Sequence, residues 1–188
     1  MWREIETGNI IKQGSSWKDA NNIRHPKNWH IWSEDEKKAA GLEEIIPDPI
    51  PNNITWSFTQ DEAGKVTKIA KKLDDENTTD ENGNLVKDDK GNQRITRGVK
   101  SILIERVKDQ QGNLLSQTDW AIIRKADKGT AIPSNIQTWR DAIRTKATEM
   151  EDAINNAADT AAVEALLLTW DKDGNKSGIL YDWPELVE

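Results

Sequence analysis

Two histidines, 33 carboxylates and no cysteine make up the reactive inventory of this 188-residue chain. His25 and His30 are the only imidazoles, in the segment RHPKNWHIW. Their i,i+5 spacing suits neither one helix face nor a zinc-finger pattern, and they bring too few nearby ligands for a metal. A histidine-based acid–base triad would have to use one of these two. Structural or surface roles are expected for both. The lack of cysteine excludes disulfides, thiol nucleophiles and cysteine metal sites, and it suits a cytosolic setting. Asp and Glu fall in turns and helix starts, and no pair stands out as the acid and base of a hydrolase. Two acidic stretches invite a calcium reading. DDENTTDENGNLVKDDKG, from Asp74, lacks the residue order of a helix–loop–helix site with its closing bidentate Glu. Asp171-x-Asp173-x-Asn175 begins like such a loop, but Lys176 stands where Gly is needed and Asp182 where Glu should close it. A turn is expected there instead. No catalytic residue, no metal site and no cofactor is assigned.

The elements that must position any site are read from periodicity and punctuation. Residues 1–46 read as short strands and loops plus one short helix. Asn9-Ile10-Ile11 is a strand, and Ser33 with Glu36 forms a capping box for a helix that stops at Gly41. Pro47, Pro49 and Pro51 make 47–53 an extended linker. Residues 54–95 read as a β-hairpin followed by an acidic flexible loop, with a small exposed hairpin through Leu85-Val86 and turns at Asn82-Gly83 and Lys90-Gly91 as the other reading. Ile54–Phe58 and Val66–Ala70 alternate apolar and polar residues around an Asp61–Gly64 turn, and the loop is too polar to bury a core. Residues 96–170 read as a helical domain. Its first helix carries Val99, Ile102, Leu103, Arg106 and Val107, and Gly112 is expected to end it as the C′ residue. Leu114 and Leu115 then lead into a second helix, capped by Thr118 or Asp119 and carrying Trp120, Ile123 and Arg124. Gly129 ends that piece. Pro133 is placed at the first position of a long helix from about Ser134 to Ala157. Ile136, Ile143 and Met150 recur on it every seven residues, with Arg140, Ala147 and Ile154 between. This stripe is expected to cover the 96–111 helix. Trp120 and Trp139 are both expected in the core, and Asp119, Arg124, Arg140 and Arg144 are expected to form ion pairs within the unit. Asp159 or Thr160 caps a last short helix. Residues 171–188 read as a C-terminal arm, with a strand or extended segment at Ile179–Tyr181 and an exposed Trp183-Pro184 end free to dock on a neighbour. The fold class is therefore α+β: a small β-rich N-terminal region, then a helical hairpin or bundle of about three helices.

Composition bounds the function. Hydrophobic residues are 35% and charged residues 31%, which favours several small cores over one large one. Nine Trp accompany one Tyr and one Phe, so indoles must anchor those cores or serve as contacts. A net charge of −7 argues against nucleic-acid binding. The opening MWREIETGNIIKQG holds no signal-like apolar run. The longest apolar run, around Ala165–Leu168, is too short to span a membrane.

The order of residues from Leu114 onward carries a family resemblance. Leu114, Leu115, Thr118, Asp119 and Trp120, then Ile123 and Arg124, then Gly129-Thr130-Ala131-Ile132-Pro133, then Arg140, Ile143 and Arg144 follow one grammar. This grammar resembles that of bacteriophage tail assembly chaperones and tail-fibre assembly proteins. Trp139 stands where that family usually has Tyr. The match covers about Val99 to Ala158. Trp32-Ser33-Glu34-Asp35-Glu36, Gly41-Leu42 and the three linker prolines resemble the N-terminal halves of the same proteins, less specifically. The resemblance implies a non-enzymatic protein that binds phage tail or tail-fibre subunits in the host cytoplasm during assembly. Retention in the virion tail and formation of a homo-oligomer are compatible with it. It implies no nucleic-acid or membrane partner and no catalytic residue. A receptor- or glycan-binding fibre component is the alternative, and a lysis hydrolase is the least supported reading.

Overall fold

Glycine turns cut the first part of the chain into strands of two or three residues, each too short to be stable alone. In the computed structural model, which describes residues 1–187, these pieces belong to a compact unit running from Met1 to Ile69. β1 (Trp2–Glu4) lies between β2 (Ile10–Ile11) and a later strand of residues 42–44, antiparallel to both. β3 (Trp17–Lys18) and β4 (Arg24–His25) form a second antiparallel pair. A 3-10 helix, Lys27–Ile31, and α1 (Glu34–Ala39) follow, and then β5 (Leu42–Glu44). The predicted capping box is present. Ser33 accepts from the Glu36 amide at 3.3 Å, and the Glu36 carboxylate accepts from the Ser33 amide at 2.8 Å. Gly41 takes the left-handed φ of 78° that ends α1.

Four residues form the core of this unit: Ile11, Trp17, Trp29 and Leu42, with Trp2, Trp32 and Ala40 against them. Trp29 is fully buried and its indole N–H donates to the Ser15 carbonyl at 2.9 Å, so the ring both fills the core and ties down the Gly14 loop. His25 stacks on Trp17 at 4.1 Å between ring centroids, and its Nε2 meets the Asp19 carboxylate at 3.0 Å. This is the structural role expected of that histidine. The proline segment runs beside the predicted hairpin of β6 (Trp56–Gln60) and β7 (Val66–Ala70). Asp48 fastens it, donating its amide to Gly64 and accepting from the Val66 amide.

The second unit begins at Ala70. The acidic segment is not the flexible loop expected from its polarity. β8 (Glu76–Asn77) pairs with β9 (Ile95–Thr96). Beyond them Thr78, Val86 and Arg94 close a ring of backbone bonds. Thr78 N–H donates to Arg94, Arg94 to Val86 and Val86 to Thr78, at 2.8–2.9 Å. Two arms of the ring are tight turns. In each, an Asp (Asp80, Asp88) accepts from amides two and four residues on, and from the side chain of an Asn (Asn84, Asn92). Local side-chain-to-backbone bonds supply the order that apolar burial cannot.

α2 (Val99–Ser116) starts on this platform. Its first amides donate to the carbonyls of Lys72 and Leu73, and Gly98 N–H donates to Asp75 at 2.7 Å. The helix does not stop at Gln111. It runs through Gly112, which stays out of the left-handed region, to Ser116. A glycine alone does not end a helix whose next turn, with half-buried Leu114 and Leu115, has a surface to cover. α3 (Asp119–Lys128) ends at Gly129, whose φ is 68°. α4 (Ser134–Asn156) begins after Pro133, one position outside the helix rather than on its first turn. α5 (Thr160–Leu166) is capped by Asp159, which accepts from Ala162 at 2.8 Å. The predicted stripe Ile136, Ile143, Met150, Ala147 and Ile154 is buried, and α2 meets it with Val99, Leu103 and Val107.

The C-terminal arm is not free. β10 (Thr169–Trp170) and β11 (Lys176–Ser177) flank the expected turn, built on Asp171 and Asn175 just like those at Asp80 and Asp88. The strand falls there and not at Ile179–Tyr181. Ile179 and Leu180 donate to the Leu166 carbonyl, and Leu180 is fully buried. Trp183 donates to Gln110 at 2.8 Å, and the Pro184 carbonyl accepts from Trp139 at 2.9 Å. The end of the chain therefore docks on its own helices.

Two glycines report on this architecture. Gly112→Ala is expected to stabilise by about 1 kcal/mol, because the site is helical and open; a C′ glycine would give a loss instead. Gly98→Ala would place a Cβ 2.3 Å from the Leu73 carbonyl oxygen and is expected to cost about 1–3 kcal/mol or more. Urea unfolding checks both. Asp19 gives a pH prediction. The hydrogen bond from His25, aided by the Ile23 and Asn21 amides, holds its carboxyl below the ordinary 3.8. The unfolded chain therefore takes up that proton first as pH falls. The contribution is complete above about pH 4 and is lost below it. Asp19→Asn should show a shallower fall of stability with acid, read from tryptophan fluorescence.

Candidate functional site

Four of the residues that carry the family resemblance, Leu115, Thr118, Asp119 and Arg140, meet at the bend between α2 and α3. A helix end leaves carbonyls without amide partners. Here the Leu115 carbonyl receives the Gln117–Thr118 turn and also the Arg140 guanidinium, which reaches it from α4 at 2.7 Å. The same Nη1 donates to the Thr118 hydroxyl at 2.8 Å and meets the Asp119 carboxylate at 2.9 Å. Thr118 is 3% exposed and Arg140 6%. The hydroxyl donates in turn to the Leu115 carbonyl at 3.2 Å, so it does not cap α3 as expected. Thr118, Asp119, Leu115 and Arg140 thus form one closed polar joint between three helices. Arg140 Nε is buried with no partner.

The other motif residues divide by role. Trp139 is buried beside Arg140, as expected. Trp120 is not in the core: it is 49% exposed, because α3 buries only Ala121. Trp120 and Ile123, 66% exposed, share one face, and Ile122 lies next to them. Arg124 is exposed on the same stripe and makes no ion pair among the described residues. Asp119 therefore pairs with Arg140 and not with Arg124 as expected, and Arg144 pairs with Asp141 at 2.9 Å. Leu114 sits half-buried on the last turn of α2. Gly129 and Pro133 frame the turn into α4.

The arrangement holds side chains still rather than presenting a reactive group. Three of the carboxylates with displaced titration sit in the Asx turns. Asp80, Asp88 and Asp171 are held below the ordinary aspartate value, chiefly by hydrogen bonds from Asn84, Asn92 and Asn175. Such groups stay ionised at neutral pH and are poor general acids. In the Asp171 turn both carboxylate oxygens are engaged by the chain itself. Among the described residues no three His, Asp or Glu side chains converge as a cation cage, and no helix is long and apolar enough to cross a membrane.

Reading by sequence missed two contributors. Gln110 and the Pro184 carbonyl hold the arm over the helices, yet neither stands out by type or spacing. The nearest available signal was the pair of indole N–H groups at Trp139 and Trp183, each of which needs a partner when buried. No family model, no curated protein and no solved structure matches the chain.

The joint predicts a steep dependence on side-chain geometry. Arg140→Lys keeps the charge on a side chain one atom shorter, so its ammonium falls short of the point where Nη1 meets the carbonyl, the hydroxyl and the carboxylate. It should cost about 2–3 kcal/mol in urea unfolding. Thr118→Val should cost about 1–3 kcal/mol. The double variant should lose less than the sum, since both changes open one network.

Proposed function

We propose that this chain is a non-enzymatic bacteriophage tail or tail-fibre protein acting by protein–protein binding. It would work in the host cytoplasm during tail or fibre assembly, and a virion tail role is the extension of the same reading. One observation carries it. The residues that resemble the assembly family form a rigid joint, and what that joint projects outward is an apolar face, Trp120 with Ile123, on a helix that buries only Ala121. Exposed indoles at the centre of an apolar patch are typical anchors of binding surfaces. Arg124 on the same stripe adds a cation without an intramolecular ion pair among the described residues. The partner that fits is a tail or fibre subunit with an apolar groove and an acidic rim.

The test is co-expression with the tail and fibre subunits of the same phage, followed by affinity capture and mass spectrometry of purified virions. Capture of one subunit is expected. Trp120→Ala combined with Ile123→Asp should abolish it while leaving the melting temperature within a few degrees, since both residues are exposed. Trp139→Ala should instead unfold the helical unit, at a cost of about 3–5 kcal/mol. Capture that survives the α3 variant would overturn the assignment of this face. Stoichiometric copies in virions would establish the particle role, and absence from them with fibre misassembly on deletion would establish the chaperone role.

A further inference from the structure

The first unit contains a cavity of about 660 Å³ beside β1, β2 and the 3-10 helix. That volume falls within the range of ordinary small-molecule sites, roughly 300–1,000 Å³. Its lining is mixed in a specific way. Trp29 lines it and is fully buried. Trp2 is half-buried and lines the cavity; Lys37, outside the lining, lies against one face of its ring at 4.7 Å. Around these apolar walls stand Lys12, Gln13, His30 and Glu62. The side chains of Lys12, Gln13 and Glu62 form no hydrogen bond or ion pair among the described residues. His30 uses Nδ1 on the Lys27 carbonyl at 3.1 Å and keeps Nε2 free. The lining thus combines uncommitted donors and acceptors with indole surface.

Charge narrows the class of ligand. The lining side chains include one lysine and one glutamate, so neither an anion nor a cation is preferred by net charge. An aliphatic molecule would leave the amide, the carboxylate and the imidazole facing an occupant that cannot bond them, at a desolvation cost. A neutral polyhydroxylated ring satisfies both halves. Its C–H face lies on the indole, and its hydroxyls both donate to Glu62 and accept from Lys12 and Gln13. We infer that this cavity is a binding site for a neutral saccharide of about disaccharide size, with Trp2 as the stacking surface and Gln13 and Glu62 as the groups that orient it. The inference concerns the first unit and stands apart from the docking face on α3.

The test uses the full chain. Maltose, lactose, cellobiose and N,N′-diacetylchitobiose are titrated separately, with tryptophan fluorescence and saturation-transfer NMR as readouts. Saturable binding of at least one is expected at millimolar concentration or below. Gln13→Ala and Glu62→Ala are both exposed changes; each should weaken binding about tenfold, which is 1.4 kcal/mol, with the melting temperature unchanged. Trp2→Phe, which keeps a ring, should reduce the fluorescence response while retaining the fold. Absence of transfer from all four sugars overturns the inference. So does binding that Gln13→Ala and Glu62→Ala leave intact. Binding of a neutral tripeptide panel in place of the sugars, with the same dependence on Gln13 and Glu62, assigns the cavity to peptide and likewise overturns it. None of these outcomes depends on capture of a tail subunit, so failure of one reading is distinguishable from failure of the other.

Discussion

The helical unit depends on one guanidinium placed where a helix ends. Arg140 comes from the middle of the stripe that α4 buries, at a position where an apolar residue would be expected. A buried charge is costly unless its hydrogens are met. Arg140 meets that condition in part: its Nη1 lies within 2.9 Å of a carbonyl, a hydroxyl and a half-exposed carboxylate, while its Nε stays buried without a partner. In doing so it specifies three things together: where α2 stops, the direction in which α3 leaves, and the register of α4 against both. A lysine would supply the charge on a side chain one atom shorter, short of the point where Nη1 meets all three acceptors. An alanine would leave the Leu115 carbonyl and the Thr118 hydroxyl buried with fewer partners. The α2–α4 seam supplies the apolar burial, but the seam alone would tolerate sliding by a turn. The joint does not.

The same logic, local polar bonds in place of apolar area, explains the acidic segment. Asp80, Asp88 and Asp171 each build one turn with an Asn four residues on and a glycine between, at Gly83, Gly91 and Gly174, all with φ near 82°. A side chain that bonds its own backbone lowers the entropy of the open chain before any tertiary contact forms. The ring through Thr78, Val86 and Arg94 then needs little apolar burial. It matters because residues 72–75 leading into it supply the acceptors that begin α2. The most polar stretch is thus a structural support for the most apolar one.

Which parts were legible follows from the range of the forces involved. The capping box at Ser33, the hairpin at 56–70, the cap at Asp159 and the seven-residue stripe of α4 are each written within a few residues or turns, and each is present. What failed to read needed a distant partner. Gly112 has the right type to end a helix, but the terminator is Arg140, whose guanidinium bonds the Leu115 carbonyl from α4. Trp120 and Trp139 sit in similar local patterns. The difference is that α4 is covered by α2 and the arm, while α3 buries only Ala121. The arm could not be placed because its anchors are Gln110 and a proline carbonyl, and nothing in their types announces a contact. At the joint, Thr118, Asp119 and Arg140 were all singled out beforehand, but as separate caps and ion pairs; that they form one network is a property of the fold.

The tryptophans show how a core-poor chain can still hold its loops. Trp29, Trp139 and Trp183 each fill apolar space and spend their one N–H on an acceptor far along the chain: Ser15, Pro184 and Gln110. Each indole therefore acts as a hydrophobic anchor and a fastening at once, which neither Phe nor Leu can do. This accounts for the near absence of other aromatics. Trp17 departs from the pattern, with its N–H buried and without a partner, and its hold comes from stacking on His25. Trp120 and Trp170 depart the other way, 49% and 65% exposed. Trp170 has Lys176 within 6.0 Å of its ring and a short hairpin to stiffen. Trp120 has no such partner among the described residues, although the joint beside it holds its helix rigidly in place. About half of that indole stays open to solvent, on the helix face it shares with Ile123.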